Sequence, residues 1–227
     1  MNAEDRAPLT RWLDQPEVQR ELLRRDPLVD GHEVEVRTAS TWKPHTPHPA
    51  AWQIVKEYGG STISRSDLAV HAGHALAEPG EENWVRAYMA CQLWGVGRSG
   101  RVGWTRKTLA DPSAPAAFAA LAEAVQEGQP ERAADGWAYG WNRSFTTKFA
   151  YAVAKALDQT SPTALVYDKR VCEQLDRLGW QYPKTRSGPV RHRRYAGYLD
   201  ALHDEAARLG CQPDTIEWLL FYPPASA

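Results

Sequence analysis

Apolar residues recur at helical spacing along most of the chain, and they rarely alternate long enough to make a strand. Val18, Leu22 and Leu23 share one face after Asp14-Gln15-Pro16-Glu17, which reads as a cap with proline near the first turn, and Asp26-Pro27 closes that helix. His32 to Arg37 alternates like a short strand. Pro44, Pro47 and Pro49 mark the stretch from Trp42 to Ala51 as an extended connection, followed by a short helix from Trp52 to Tyr58. Ser64 or Ser66 is placed to cap a helix running toward His74. Glu81 to Trp94 is a longer helix, with Trp84, Ala87, Tyr88, Cys91 and Trp94 on one face. Further helices are predicted over Pro115–Val125, Ser144–Leu157, Asp168–Leu178, Tyr195–Leu209 and Pro213–Phe221, several of them closed by glycine. The expected fold class is mainly α, without internal repeats or low-complexity tracts.

With 227 residues and 43% hydrophobic, the chain can bury a large single core or two small subdomains that share one. The formal net charge is -1, which excludes a globally basic, histone-like binder of nucleic acid. The charge is nonetheless blocked: residues 83–110 hold five bases and no acid, and residues 143–200 hold 11 bases against 5 acids. Residues 1–82, with 9 bases against 14 acids, are acidic. Two basic sections in a neutral chain can concentrate positive potential on one face, the footprint of a phosphate-backbone binder; solvated helix faces are the other reading. No apolar run approaches the roughly 20 residues of a membrane span, and the N-terminal residues lack the pattern of a secretory leader. A soluble protein of a reducing, cytoplasmic compartment is expected, with no membrane partner. Cys91, Cys172 and Cys211 lie too far apart for a zinc ribbon or an iron–sulfur cluster. Ten tryptophans and nine tyrosines supply more rings than a core of this size ordinarily uses, so some are available to line a pocket.

Some apparent motifs carry little. Gly95-Val96-Gly97-Arg98-Ser99-Gly100 fits G-x-G-x-x-G but follows a helix and lies in no βαβ unit, so it is not read as a dinucleotide site. Its Arg98 and Arg101 can still lie near a phosphate. His71 and His74 stand three apart on a helix without a visible third ligand, and no metal or other cofactor is expected. G-x-S-x-G is absent.

The chemistry concentrates in Trp141-Asn142-Arg143-Ser144-Phe145-Thr146-Thr147-Lys148-Phe149 and Leu165-Val166-Tyr167-Asp168-Lys169-Arg170-Val171. A lysine sits in the first turns of one helix and an aspartate caps the next. Ser144, Thr146 and Thr147 crowd a helix N-terminus, where unpaired N–H groups and the dipole attract anions, and Arg143 and Lys148 add charge. The spacing of 20 residues between Lys148 and Asp168 leaves room for one helix, a linker and a second N-terminus, so both groups can face one cleft.

These two stretches, with Tyr195…Tyr198-Leu199 and Ile216-Glu217-Trp218-Leu219-Leu220-Phe221, resemble the helix-hairpin-helix DNA glycosylases, and most closely the bacterial 8-oxoguanine DNA glycosylases of the OGG fold. The resemblance runs from about Trp84 to Phe221. It implies two helical subdomains around a central cleft: residues 81–195 with the hairpin and the Lys/Asp pair, and residues 1–80 completed by 196–227. It gives Lys148 the role of a nucleophile that forms a Schiff base, and Asp168 that of supporting the developing charge. An amine can form an imine with an opened sugar, and a carboxylate can stabilise an oxocarbenium-like one. Where the family carries a Gly-x-Gly hairpin, this chain has Ser144, Phe145 and Thr146.

The implied partner is double-stranded DNA containing a damaged or modified base, bound by a monomer near the nucleoid. Arg143, Ser144, Thr146, Thr147, Arg170, Arg98, Arg101, Arg191, Arg193 and Arg194 are the expected DNA contacts, the last three in a basic run that starts at Lys184. Trp42, Trp94, Trp141 and Phe221 are the expected rings of a pocket for a flipped base. The expected activity is excision of 8-oxoguanine with an associated strand-cleaving lyase step. The alternatives are excision of another modified base, such as a hypermodified base of phage DNA; a DNA-binding helical module without chemistry; and a protein-interaction module.

Overall fold

The structure is a computed structural model that describes residues 3–97, 102–139, 143–180 and 189–225. Among these, twelve α-helices surround one continuous apolar core that runs from Leu9 to Leu220. The N-terminal part holds α1 (Ala3–Leu13), α2 (Pro16–Arg25), a three-residue β1 (Glu33–Glu35), α3 (Ala39–Trp42), α4 (Pro49–Tyr58), β2 (Thr62–Ser64) and α5 (Arg65–Ala77). The central part holds α6 (Glu81–Val96), α7 (Gly103–Leu109), α8 (Ala114–Gln126), a 3-10 stretch at Pro130–Tyr139, α9 (Arg143–Leu157) and α10 (Lys169–Arg177). Two last helices, α11 (Val190–Leu209) and α12 (Pro213–Phe221), return to the N-terminal part, where α12 packs on α2 as well as on α10 and α11.

The strand read from His32 to Arg37 is real but short. It pairs antiparallel with β2, Val34 facing Ile63. The stretch around Trp42 departs from the expectation of an extended connection. It is α3, a 3-10 turn at Lys43–His45, and then α4, with Pro44 and Pro49 in the first turns of their helices. Proline is welcome there because the first-turn N–H groups have no intrahelical partner to lose. Asp14 is not the cap of α2 either: Gln15 takes that position without a side-chain hydrogen bond.

The elements that build the cleft are fixed by specific contacts. Ser64 closes a capping box at α5, its Oγ accepting from the Asp67 N–H while Asp67 accepts from the Ser64 N–H at 2.7 Å. That box presents Arg65 inward. Helix α5 packs on both α6 and α9, so the three form the bed on which the cleft opens. Among the described residues, no helix is long and apolar enough to cross a membrane.

Candidate active site

A cleft of about 610 Å³ opens between β1, the C-terminal end of α6, the start of α9, the N-terminus of α10 and the end of α12. Lys148 and Asp168 meet on its wall. The Lys148 ammonium lies 2.6 Å from Ser144 Oγ and 3.6 Å from Asp168 Oδ2, with Trp94 and Phe145 rings each 5.8 Å away. Lys148 is 3% exposed. Burial pulls its pKa below the usual lysine value, opposed by Asp168 and then by Glu217.

Asp168 owes its aim to its role as the N-cap of α10. Its Oδ1 accepts from the N–H groups of Arg170 at 2.9 Å and Val171 at 3.2 Å, which leaves Oδ2 turned to the lysine. The segment before it, Ala164 to Tyr167, lies in no helix or strand and is fully buried, so its backbone must find partners elsewhere. Two tyrosines of α11 supply them. Tyr195 donates to the Leu165 carbonyl at 2.6 Å and Tyr198 to the Val166 carbonyl at 2.8 Å. Thr147 Oγ1 accepts from the Tyr167 N–H at 3.1 Å, tying this segment to the turn that carries Lys148.

Glycine at position 95 makes the space for the lysine. A Cβ there would stand 2.7 Å from Lys148 Cδ, 2.9 Å from Cε and 3.1 Å from a Phe145 ring carbon. Gly97, at φ +50°, passes as closely by Val34, where a Cβ would meet Cγ1 at 2.7 Å. Gly95 and Gly97, two of the glycines that resembled a nucleotide loop, therefore serve close packing, Gly95 beside the candidate nucleophile and Gly97 on Val34.

The floor of the cleft is charged and buried. Glu217 Oε2 lies 2.8 Å from Arg65 Nη2, whose guanidinium sits over the Trp94 and Tyr151 rings at 5.2 Å. Glu217 Oε1 has no hydrogen-bond partner among the described residues. Burial raises the Glu217 pKa to about 7 against the opposing charge of Arg65. Behind them, Asp214 accepts from Tyr151 at 2.8 Å and pairs with Lys155 at 3.0 Å. His32 stacks on Trp218 at 4.4 Å and meets Trp94 edge-on; burial and the neighbouring Arg65 lower its pKa to about 3, which leaves it neutral at pH 7. Cys91, under Lys148, is no rival nucleophile, because burial pushes its thiol up to about 12.

The rim is aromatic and basic. Phe221 and Tyr222 lie edge to face at 4.5 Å, with the Arg170 guanidinium over them at 5.0 and 5.6 Å. Lys169, next to Arg170 in the chain, and Glu33 and Glu35 of β1 line the same cleft.

Of the expected residues, Lys148, Asp168, Ser144, Arg170, Trp94 and Phe221 share this cleft. Two expectations need correction. Trp42, at the end of α3, is fully buried in the core, and it does not line the cleft. Thr146 and Thr147 are also buried, at 1% and 0% exposure, so neither hydroxyl is presented to a phosphate; Thr147 serves the Tyr167 N–H instead. Arg191, Arg193 and Arg194 begin α11 outside the cleft lining. Arg98, Arg101, Trp141 and the Arg143 side chain lie outside the described residues, as does the basic run from Lys184 to Gly188. His71 bonds Tyr58 at 3.2 Å, and among the described residues no three His, Cys, Asp or Glu side chains are grouped to hold a metal. Gly95, Arg65, His32 and Glu217 were missed. Glu217 left a trace in sequence, an acid set into an apolar helix one turn before Phe221, and Gly95 another, as the first glycine of the discounted G-x-G-x-x-G.

A lysine and an aspartate brought together from two helix starts, with a ring-lined cleft in front, is the arrangement on which the sequence resemblance turned. Residues 27–221 match a family model described as "OGG: Putative 8-oxoguanine DNA glycosylase OGG-like protein". The chain belongs to this family. The mainly α fold agrees with it. No curated protein and no solved structure matches the chain.

Proposed function

We propose that this OGG-family chain is a DNA glycosylase with a lyase step, which takes a modified base out of the duplex and excises it through Lys148, with 8-oxoguanine as the first substrate to test. The observation that carries this is the buried Lys148 amine, 3.6 Å from Asp168 in a cleft large enough for a nucleobase. A lysine destined only for the surface has no reason to be sequestered there, since burying an amine costs unless something uses or pairs it.

In this reading the flipped base enters between the Trp94 side and Phe221, recovering by stacking part of the few kcal/mol lost from the helix. The bond from C1′ to the base breaks, and the base leaves with the electron pair and takes up a proton. Asp168 stabilises the positive charge that develops on the sugar. The neutral Lys148 amine bonds to C1′ and gives up a proton; the C1′–O4′ bond then opens, O4′ takes up a proton to become a hydroxyl, and a protonated imine is left. Loss of a C2′ proton expels the 3′ phosphate, which is the lyase step. Lys169 and Arg170, at the N-terminus of α10, take the flanking phosphates. Residues 81–195 form one wall of the cleft, and residues 1–80 with 196–227 the other.

The test is borohydride trapping on labelled duplexes carrying 8-oxoguanine, uracil, hypoxanthine, 5-hydroxymethylcytosine, its glucosylated form or an abasic site. A covalent band on the 8-oxoguanine duplex that disappears in Lys148→Gln supports both mechanism and substrate. A band confined to another base keeps the mechanism and changes the substrate. No band on any duplex, with no strand breaks after heat or alkali, leaves DNA binding without chemistry.

A further inference from the structure

The nearest partner of the Lys148 amine is a hydroxyl, one ångström closer than the carboxylate: 2.6 Å to Ser144 Oγ against 3.6 Å to Asp168 Oδ2. We infer that Ser144 is a positioning residue, which holds the Lys148 amine in the cleft with a partner suited to both of its protonation states and keeps it from closing onto Asp168 as a fixed ammonium. This rests on the reading of Lys148 as the nucleophile. It replaces the role expected for Ser144 as a phosphate contact.

The chemistry of the two partners differs. An ionised carboxylate only accepts hydrogen bonds, so a lysine whose sole close partner is Asp168 is favoured as the ammonium, which has no lone pair to attack with. A hydroxyl accepts from the ammonium and donates to the lone pair of the neutral amine. In a buried site this matters, because an amine that loses its proton and finds no donor is left partly unsatisfied. Ser144 Oγ is the hydrogen-bond partner within 3.5 Å of Lys148 Nζ among the described residues, and the Asp168 carboxylate just beyond it, at 3.6 Å, offers acceptors alone. The charged and titratable groups around it pull in both directions. Asp168 at the head of α10, Glu217 on α12 and Cys91 on α6 favour the ammonium, and the Trp94 and Phe145 rings do the same. Burial favours the neutral amine, and Arg65, Lys169 and Arg170 line the same cleft as cations.

Geometry holds the contact in place. Ser144 and Lys148 are four apart on α9, so they share a face one turn from each other. The lysine stem is confined on its far side by the close approach of Gly95.

The experiment reads the amine directly. Protein labelled with ¹³C at lysine Cε is titrated by NMR without DNA, with Lys148→Gln identifying the signal, in wild type, Ser144→Ala and Ser144→Thr. Removing the hydroxyl costs the ammonium little, since it can close the gap to Asp168, but leaves the neutral amine with no donor. The midpoint in Ser144→Ala therefore rises by about one unit, equivalent to about tenfold less neutral amine at pH 7, and Ser144→Thr restores it. The pH profile of borohydride trapping on an abasic duplex moves in parallel, while duplex affinity and its salt dependence stay as in wild type. If Ser144→Ala does not fold, Ser144→Gly removes the same hydroxyl and must show the same rise. An unchanged or lowered midpoint in the hydroxyl-free variants, or a threonine that fails to restore it, overturns the inference. If the NMR shifts behave as stated but wild type traps on no duplex, the glycosylase reading falls and the Ser144 pairing stands. If wild type traps and the hydroxyl-free variant traps with the same pH profile, the Ser144 role alone falls.

Discussion

Gly95→Ala separates the fold from the chemistry. The added Cβ would lie 2.7 Å from Lys148 Cδ, against the 3.4 Å at which ordinary contact begins, so the lysine stem must retreat by about 0.7 Å. Packing more atoms into a filled site costs about 1–3 kcal/mol, and the lower end applies because the displaced atoms belong to a flexible side chain. Alanine in place of glycine near the end of α6 returns up to about 1 kcal/mol in helix propensity. The two effects nearly cancel, and denaturant melts should place the variant within about 1 kcal/mol of wild type. The amine at the end of that stem does not recover its place so easily. A misplacement approaching 1 Å at a nucleophile costs on the order of 10²-fold in rate. Single-turnover borohydride trapping on an abasic duplex should fall by about that factor, with duplex affinity unchanged. Trapping within about twofold of wild type would show that the close packing of Gly95 does not set the position of the amine. A loss of several kcal/mol in stability would show that the backbone yields instead of the lysine.

Lys148→Gln should abolish covalent trapping at unchanged melting temperature, and Asp168→Asn should reduce it by at least 10²-fold; gel trapping checks both. The Glu217 carboxyl, at about 7 when folded and 4.5 when unfolded, binds more protons in the folded state between those values, so stability should fall by about 3 kcal/mol as pH rises from 4.5 to 7 and level off above. Denaturant titrations across that window should lose this fall in Glu217→Gln. Thr147→Val leaves the buried Tyr167 N–H without its acceptor and should cost about 1–3 kcal/mol, measured by urea unfolding, without changing the salt dependence of DNA binding. Arg170→Ala should do the reverse, keeping stability within about 0.5 kcal/mol and flattening the slope of log affinity against log salt by about one.

The helices legible in the sequence are those whose pattern repeats over several turns: α6, α9 and α12 run where their apolar spacing puts them, while α11 begins at Val190, ahead of the expected Tyr195. The pair on the cleft wall was legible too, because a lysine in an early helix turn and an aspartate at a helix head are local signals joined by a definite length of chain. Proline misled the reading around Trp42. It acts as a breaker within a helix but as a starter in the first turn, and sequence alone does not say which turn is first. Thr147 misled it for a related reason: a hydroxyl near a helix N-terminus suits a phosphate and a buried N–H equally, and only the packing of the Ala164 to Tyr167 segment decides between them.

Arg65 and Glu217 were invisible for a different reason, and that reason bears on how the site is held. They are 152 residues apart, each is unremarkable on its own helix, and their pairing exists only once α5 and α12 meet. An isolated buried charge of either sign would be costly enough to oppose folding, so each helix end depends on the other. The same helix α12 carries Phe221 to the rim, and its last carbonyls at Trp218 and Tyr222 accept from Arg25 of α2. The N-terminal part thus contributes more than a second wall. It neutralises the acid of α12 and anchors the end of that helix, which fixes the floor and one rim of the cleft against the half that carries Lys148. Removing the early helices should therefore damage the site even though the Lys/Asp pair and every helix that bears it would remain.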